Sequence, residues 1–173
     1  MPSVIPPTIS FGFYGITRKY VLVDSILLLL LAVGLWNPRA IATQKRLHGL
    51  TFDDFQVLRN FLSTFQTIVT TAHVLTEVSN LAGSASGQTR TAVFAQLSSL
   101  IETLDERSIP AVEIIGQPEF HIFGLTDAVL SRLCPEMLLL TEDGRLATHL
   151  ILRGMHAMSL SQVKNLRTLA NNV

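Results

Sequence analysis

Residues 20–34 read YVLVDSILLLLLAVG. Tyr20, Val21, Leu22 and Val23 form a short apolar run, the pattern of a buried strand. Asp24 ends it. Apolar side chains then run unbroken from 26 to 33, with Asn37-Pro38 just beyond. Spanning a bilayer takes about 20 apolar residues. The run is shorter than that and predicts a helix buried in a protein core. A strand closed by an acid and followed at once by a buried helix is half of a crossover unit, the building block of parallel sheets.

The same alternation continues outward. Residues 51–65 predict a helix, with Thr51 as N-cap and Asp53 and Asp54 in the first turn. Residues 67–70 predict a second strand, and 72–82 a helix stopped by Gly83. A loop is expected over 83–88 and a helix over 91–104. Residues 112–115 read as a short strand or extended segment, and 125–133 as a helix. A third strand is expected at 137–140, a helix at 145–153, a last strand at 155–158 and a closing helix at 161–170. Short apolar strands between longer helices imply an α/β fold: a mostly parallel central sheet flanked by helices on both faces. Residues 1–18 carry Pro2, Pro6, Pro7 and Gly12 and read as an irregular arm, leaving 19–173 as a single domain.

Composition narrows the function classes. Of 173 residues, 48% are hydrophobic and 15% charged, a core-rich globular composition. Thirteen Lys+Arg balance thirteen Asp+Glu, so no bulk basic field exists for nucleic acid and binding there rests on local patches. Cys134 is the only cysteine, which excludes an internal disulfide and fits a reducing compartment. The first long apolar run begins only after Arg18 and Lys19, unlike a secretory leader, and a cytoplasmic location without membrane attachment is expected.

In parallel sheets, function gathers where strands end and helices begin. Asp24 ends the first strand. Asp143 lies just past the third, in LLLTED. Glu77 borders the apolar stripe of Val74, Val78 and Leu81, and is expected to face partly inward. Asp127 opens the helix over 126–133. Taken singly, each acid has a plain alternative: a helix cap for Asp24, a dipole partner for Asp127, a turn residue for Asp143, a surface pair for Glu77. Taken together, carboxylates at one sheet edge repel unless a cation gathers them. Oxygen-only ligands select Mg2+ or Mn2+ over zinc. Such an ion serves phosphodiester hydrolysis by activating water and stabilising charge on a phosphoryl oxygen.

Four stretches carry a family resemblance: VLVDSILLLLLAVG, TIVTTAHVLTEVSNLAG, FGLTDAVLSRL and LLLTEDGRLATHLILRG. In this order and spacing they resemble the PIN-domain nucleases. The likeness covers residues 20–158. It implies a three-layer sandwich and metal-dependent endoribonuclease activity on single-stranded or structured RNA. Asp24, Glu77, Asp127 and Asp143 would be the catalytic and metal-binding acids, with Ser25 and Thr141 orienting them. RNA is the implied substrate; an antitoxin or other protein partner and a homodimer are also within what the resemblance implies, because many such proteins are toxins of toxin–antitoxin pairs. Ile26 departs from the family, which usually has Asn there. The alternative is therefore a catalytically weakened PIN-like module that binds RNA or protein. The segment 38–64 is longer than in compact toxins of this kind.

The remaining candidates read more plainly. Arg145 is the best phosphate contact, two residues from Asp143; Arg18-Lys19, Lys45-Arg46, Lys164 and Arg167 are weaker ones. Glu142 reads as a solvated neighbour of Asp143. His73 reads as a structural hydrogen-bonding residue. His149 and His156 lack zinc-site spacing. Cys134 reads as a small core residue. No G-x-S-x-G elbow and no Gly-rich phosphate loop occurs.

Overall fold

Strand β1 (Tyr20–Val23) forms the middle of a five-stranded sheet and starts a chain that winds first to one side, then to the other. The structure is a computed structural model and describes residues 19–84 and 87–171. The arm expected over 1–18 and part of the loop expected over 83–88 lie outside these residues. Helix α1 (Ser25–Trp36) leaves β1 with Asp24 as its N-cap. Helix α2 (Phe52–Leu62), strand β2 (Thr67–Thr71), helices α3 (Ala72–Ala82) and α4 (Gly87–Ile101), and strand β3 (Asp105–Arg107) follow. Helices α5 (Pro118–Phe123) and α6 (Leu125–Leu133) return the chain to strand β4 (Leu138–Thr141). Helix α7 (Gly144–Leu152), strand β5 (Ala157–Ser159) and helix α8 (Leu160–Asn171) complete it.

The sheet order is β3-β2-β1-β4-β5, and every pairing is parallel. The winding therefore reverses between β1 and β4. Their carboxyl ends splay helices to opposite faces there and leave a crevice, the general ligand position of open α/β sheets. Register sets what stands at that crevice. Val23 pairs with Leu140, and the Asp24 amide donates to the Leu140 carbonyl at 3.1 Å. The two strand ends are thus level.

Helix α1 is buried along Leu27, Leu28, Leu29, Leu30, Leu31, Ala32 and Val33. One apolar stripe would suffice for a helix on a sheet face. This one is apolar all round because α2, α3, α4 and the short 3-10 turn Pro38–Thr43 pack around it. The long segment 38–64 thus covers the otherwise exposed side of α1. Where Phe55 of α2 meets it, residue 34 is glycine: a Cβ there would lie 2.2 Å from the Phe55 ring.

Local chemistry fixes several ends. Thr51 and Asp54 form a reciprocal capping box at α2, and Lys164 of α8 reaches Asp54 at 2.8 Å. Thr71 caps α3 by accepting from the Val74 amide at 3.2 Å. Gly83 ends α3 in the helical region, at φ −61°, so this stop does not use a left-handed glycine. Gly124, at φ +94°, does occupy a glycine-favouring conformation and separates α5 from α6.

Two further expectations are corrected. Residues 112–115 are no strand: Ala111–Glu113 form a 3-10 turn, and Ile114 beneath it is buried against Ala128 and Val129 of α6. The edge strand is instead β3, a polar Asp-Glu-Arg triplet without apolar alternation, held by register with Val69, Thr70 and Thr71. Among the described residues no helix is long and apolar enough to cross a membrane.

Candidate active site

Asp24, Glu77, Asp127 and Asp143 line one cleft of about 670 Å³ at the carboxyl ends of β1 and β4. Each comes from a different local device. Asp24 follows β1 and caps α1, its Oδ1 accepting from the Leu27 amide at 3.1 Å. Its Oδ2 accepts from the Thr141 hydroxyl and from the Glu142 amide at 2.9 Å. Only 8% of Asp24 is exposed. Burial pushes its carboxyl above the usual range against those three hydrogen bonds, and the nearby Glu77 charge pushes the same way.

Asp143 caps α7, its Oδ1 accepting from the amides of Arg145 at 2.8 Å and Leu146 at 3.0 Å. Thr141 links the two strand-end acids, because its Oγ1 also accepts from the Asp143 amide at 3.0 Å. Glu77 projects from α3 and is more open than its apolar neighbours suggest. Its Oε2 accepts from the Ser25 hydroxyl at 2.8 Å. Ser25 and Thr141 thus each donate to one of the acids they were expected to orient.

Asp127 sits half-buried in the first turn of α6. Burial, then the charges of Asp143, Asp24 and Glu77, push its carboxyl up to about 7. The four acids therefore act on one another. Among the described residues none of them joins an ion pair. Arg145 and Ile26 complete the cleft wall. The Arg145 guanidinium stands 5.8 Å from the Phe123 ring centroid.

The donor chemistry fits a hard divalent cation: carboxylate oxygens, with no thiol or imidazole among the described residues on the cleft wall. As placed, the oxygens surround the cleft without converging; among the described residues no group of three or more His, Cys, Asp or Glu is set to hold a metal ion.

Several minor readings are corrected. Glu142 is half-buried, not solvated: its Oε1 accepts from the Leu160 amide at 2.9 Å and anchors the start of α8. Lys164 is held by Asp54 and Asp53, which removes it as a phosphate contact. His73 makes no structural bond through Nδ1, which is buried without a hydrogen-bond partner among the described residues. Cys134 is a core residue, its Sγ bonded to the His156 carbonyl, and burial pushes its thiol up to about 11.

Sequence reasoning missed Glu119. It is buried in α5, 3% exposed, and binds His149 at 2.9 Å and Arg153, both near the end of α7. It also missed Phe123 and Asn80, which line a second cleft beside the acids. No spacing marks Glu119; Gly124, which ends α5, was the available signal for Phe123.

No family model matches the chain, and none of the curated proteins compared with it does. The fold defines an α/β protein with a five-stranded, all-parallel central sheet flanked by helices.

Proposed function

We propose that this protein is a PIN-like, divalent-metal-dependent endoribonuclease that cuts single-stranded RNA in the cleft between β1 and β4. One observation carries the reading: Asp24, Glu77, Asp127 and Asp143, from four separate elements, line a single cleft at the switch point of the sheet, with Glu142 as a fifth carboxylate on its wall. Burial first, and then the charges of the other three acids, raise the Asp127 carboxyl, and a bound cation would offset both. Asp24, Glu77, Asp127 and Asp143 hold Mg2+ or Mn2+ in this reading. Bound there, such an ion would supply an activated water and stabilise charge on a phosphoryl oxygen.

The chain's own residues do the positioning. Thr141 and the Glu142 amide fix the Asp24 carboxylate, and Ser25 fixes that of Glu77. Such hydrogen bonds to metal-holding groups typically set affinity and activity by about 10- to 100-fold. Arg145, on the cleft wall, is the phosphate contact. The single buried Cys134 suits the reducing cytoplasm.

A second reading is a PIN-like module that binds RNA without turnover. Ile26, an apolar side chain on the cleft wall, favours it. Labelled single-stranded RNA incubated with EDTA, Mg2+ or Mn2+ separates the two. Cutting that requires metal and disappears in Asp24→Asn supports the nuclease. A folded wild type that cuts with neither metal, yet binds RNA with a salt-dependent affinity, supports the module.

A further inference from the structure

Beside the acid cleft lies a second one of about 500 Å³, between α3 and the α5–α6 corner. Glu77 and Asp127 line both, so the two open onto each other. Their linings differ. Among the described residues no Lys or Arg lines the second cleft, and the acids lining it are the two shared ones. The two shared acids would repel an anionic phosphate there, with no Lys or Arg on the wall to offset them. The remaining wall has His73, Thr76 and Asn80 from α3, facing Phe123, Leu125 and Thr126. Aromatic surface beside neutral hydrogen-bonding groups is the chemistry that receives a nucleobase.

Details within the wall agree. The Phe123 ring has two neighbours, the His149 ring inclined at 66° with centroids 5.2 Å apart and the Arg145 guanidinium 5.8 Å from its centroid. Arg145 also lines the acid cleft, so one residue joins the aromatic wall to the phosphate contact. The Thr76 hydroxyl donates to the Ala72 carbonyl at 2.7 Å and keeps its lone pairs as acceptors. Asn80 offers an exposed amide, both donor and acceptor. His73 Nδ1 has no partner among the described residues, so no protein bond fixes the ring's tautomer.

We propose that this second cleft holds one unstacked base of a single-stranded RNA, next to the phosphate positioned at the acids, with Phe123 as stacking surface and Asn80 reading the base edge. The proposal rests on the ribonuclease reading for its substrate class. Its test does not depend on cleavage. Full-length protein carrying Asp24→Asn is titrated, in Mg2+, with short single-stranded RNAs in which one 2-aminopurine is moved position by position. Its fluorescence is expected to quench at one position on binding. Phe123→Leu should abolish that quench and weaken binding about 5- to 100-fold. Asn80→Ala, an exposed change that leaves the core untouched, should alter the preference among the four bases at that position. Quenching and base preference identical in Phe123→Leu, Asn80→Ala and their parent overturn the subsite, as does a folded parent that binds no RNA. A variant-sensitive quench without metal-dependent cutting by the wild type keeps the subsite and removes the nuclease reading. Cutting together with variant-insensitive binding does the reverse.

Discussion

Thr141 donates its hydroxyl to the Asp24 carboxylate while accepting from the Asp143 amide. One side chain at the end of β4 thereby joins two acids that belong to different strand ends. The parallel register makes this possible: with Val23 opposite Leu140, the next residues on the two strands are Asp24 and Thr141.

Removing that hydroxyl should uncouple the pair. Thr141→Val keeps shape and burial but leaves Asp24 without its donor. We expect metal-dependent cleavage and metal affinity to fall by about 10- to 100-fold, the usual effect of losing such a partner. Thr141→Ser should restore most of the loss. Isothermal titration with Mn2+ and cleavage rates read both quantities; equal values for Val and Ser variants would contradict the assignment.

Asp127 makes the metal-free protein sensitive to pH. Its carboxyl titrates near 7 in the folded protein, mainly through burial and then through the Asp143, Asp24 and Glu77 charges. An unfolded Asp titrates near ~3.9. Between these values the folded state holds a proton that the unfolded chain releases. Stability therefore falls as pH rises through that window and is lowest above it. Buried Asp24, shifted in the same direction, adds to the slope. In EDTA, the melting temperature should drop from pH 5 to pH 8. Asp127→Asn should flatten the curve and melt higher than wild type at pH 8. A melting temperature that climbs with pH across this range would contradict a raised Asp127 carboxyl.

The sequence made the central elements legible because they are driven by burial. β1, α1 and β4 are apolar runs bounded by polar residues, and their positions follow from that alone. The acids at their ends were visible for the same reason, as charges abutting core. β3 was invisible: Asp105, Glu106 and Arg107 carry no strand pattern, and only pairing with β2 makes them a strand. Pairing is a tertiary fact. Glu119 was invisible too, since its partners His149 and Arg153 are about 30 positions away on another helix. The openness of Glu77 and the burial of Glu142 ran against their expected orientations, because how far a side chain is buried turns on what packs opposite.

Gly34 should tolerate no side chain while Phe55 stands opposite. In an ordinary helix interior, Gly→Ala stabilises by about 1 kcal/mol. Here the added methyl would lie 2.2 Å from a ring that is only 3% exposed. Overpacking of that kind costs about 1–3 kcal/mol, so it outweighs the helical gain. We expect Gly34→Ala to lower the urea midpoint. In the Phe55→Leu background, which opens space at the same point, Gly34→Ala should raise it. Additive effects in the double variant would show that the two residues do not compete for one volume.

Glu119 should govern stability on the acid side. Burial alone pushes its carboxyl up, but the His149 hydrogen bond and the charges of Arg153 and His149 outweigh this and hold it below the usual carboxylate range. A depressed carboxyl contributes stability above its unfolded value, ~4.3 for Glu. That contribution is lost as pH falls through the folded value. Glu119→Gln removes the charge and leaves Arg153, which is half-exposed and still solvated. The loss should therefore be about 1–3 kcal/mol at pH 7, the scale of a hydrogen bond to a charged group. As pH falls through the folded value the wild-type side chain is itself protonated, and the gap between the two proteins should shrink. Urea unfolding of both at pH 7, 5 and 3.5 measures that gap directly. A gap that stays constant over this range would mean that the α5–α7 tie is held by shape and packing, with no part played by the charge on Glu119.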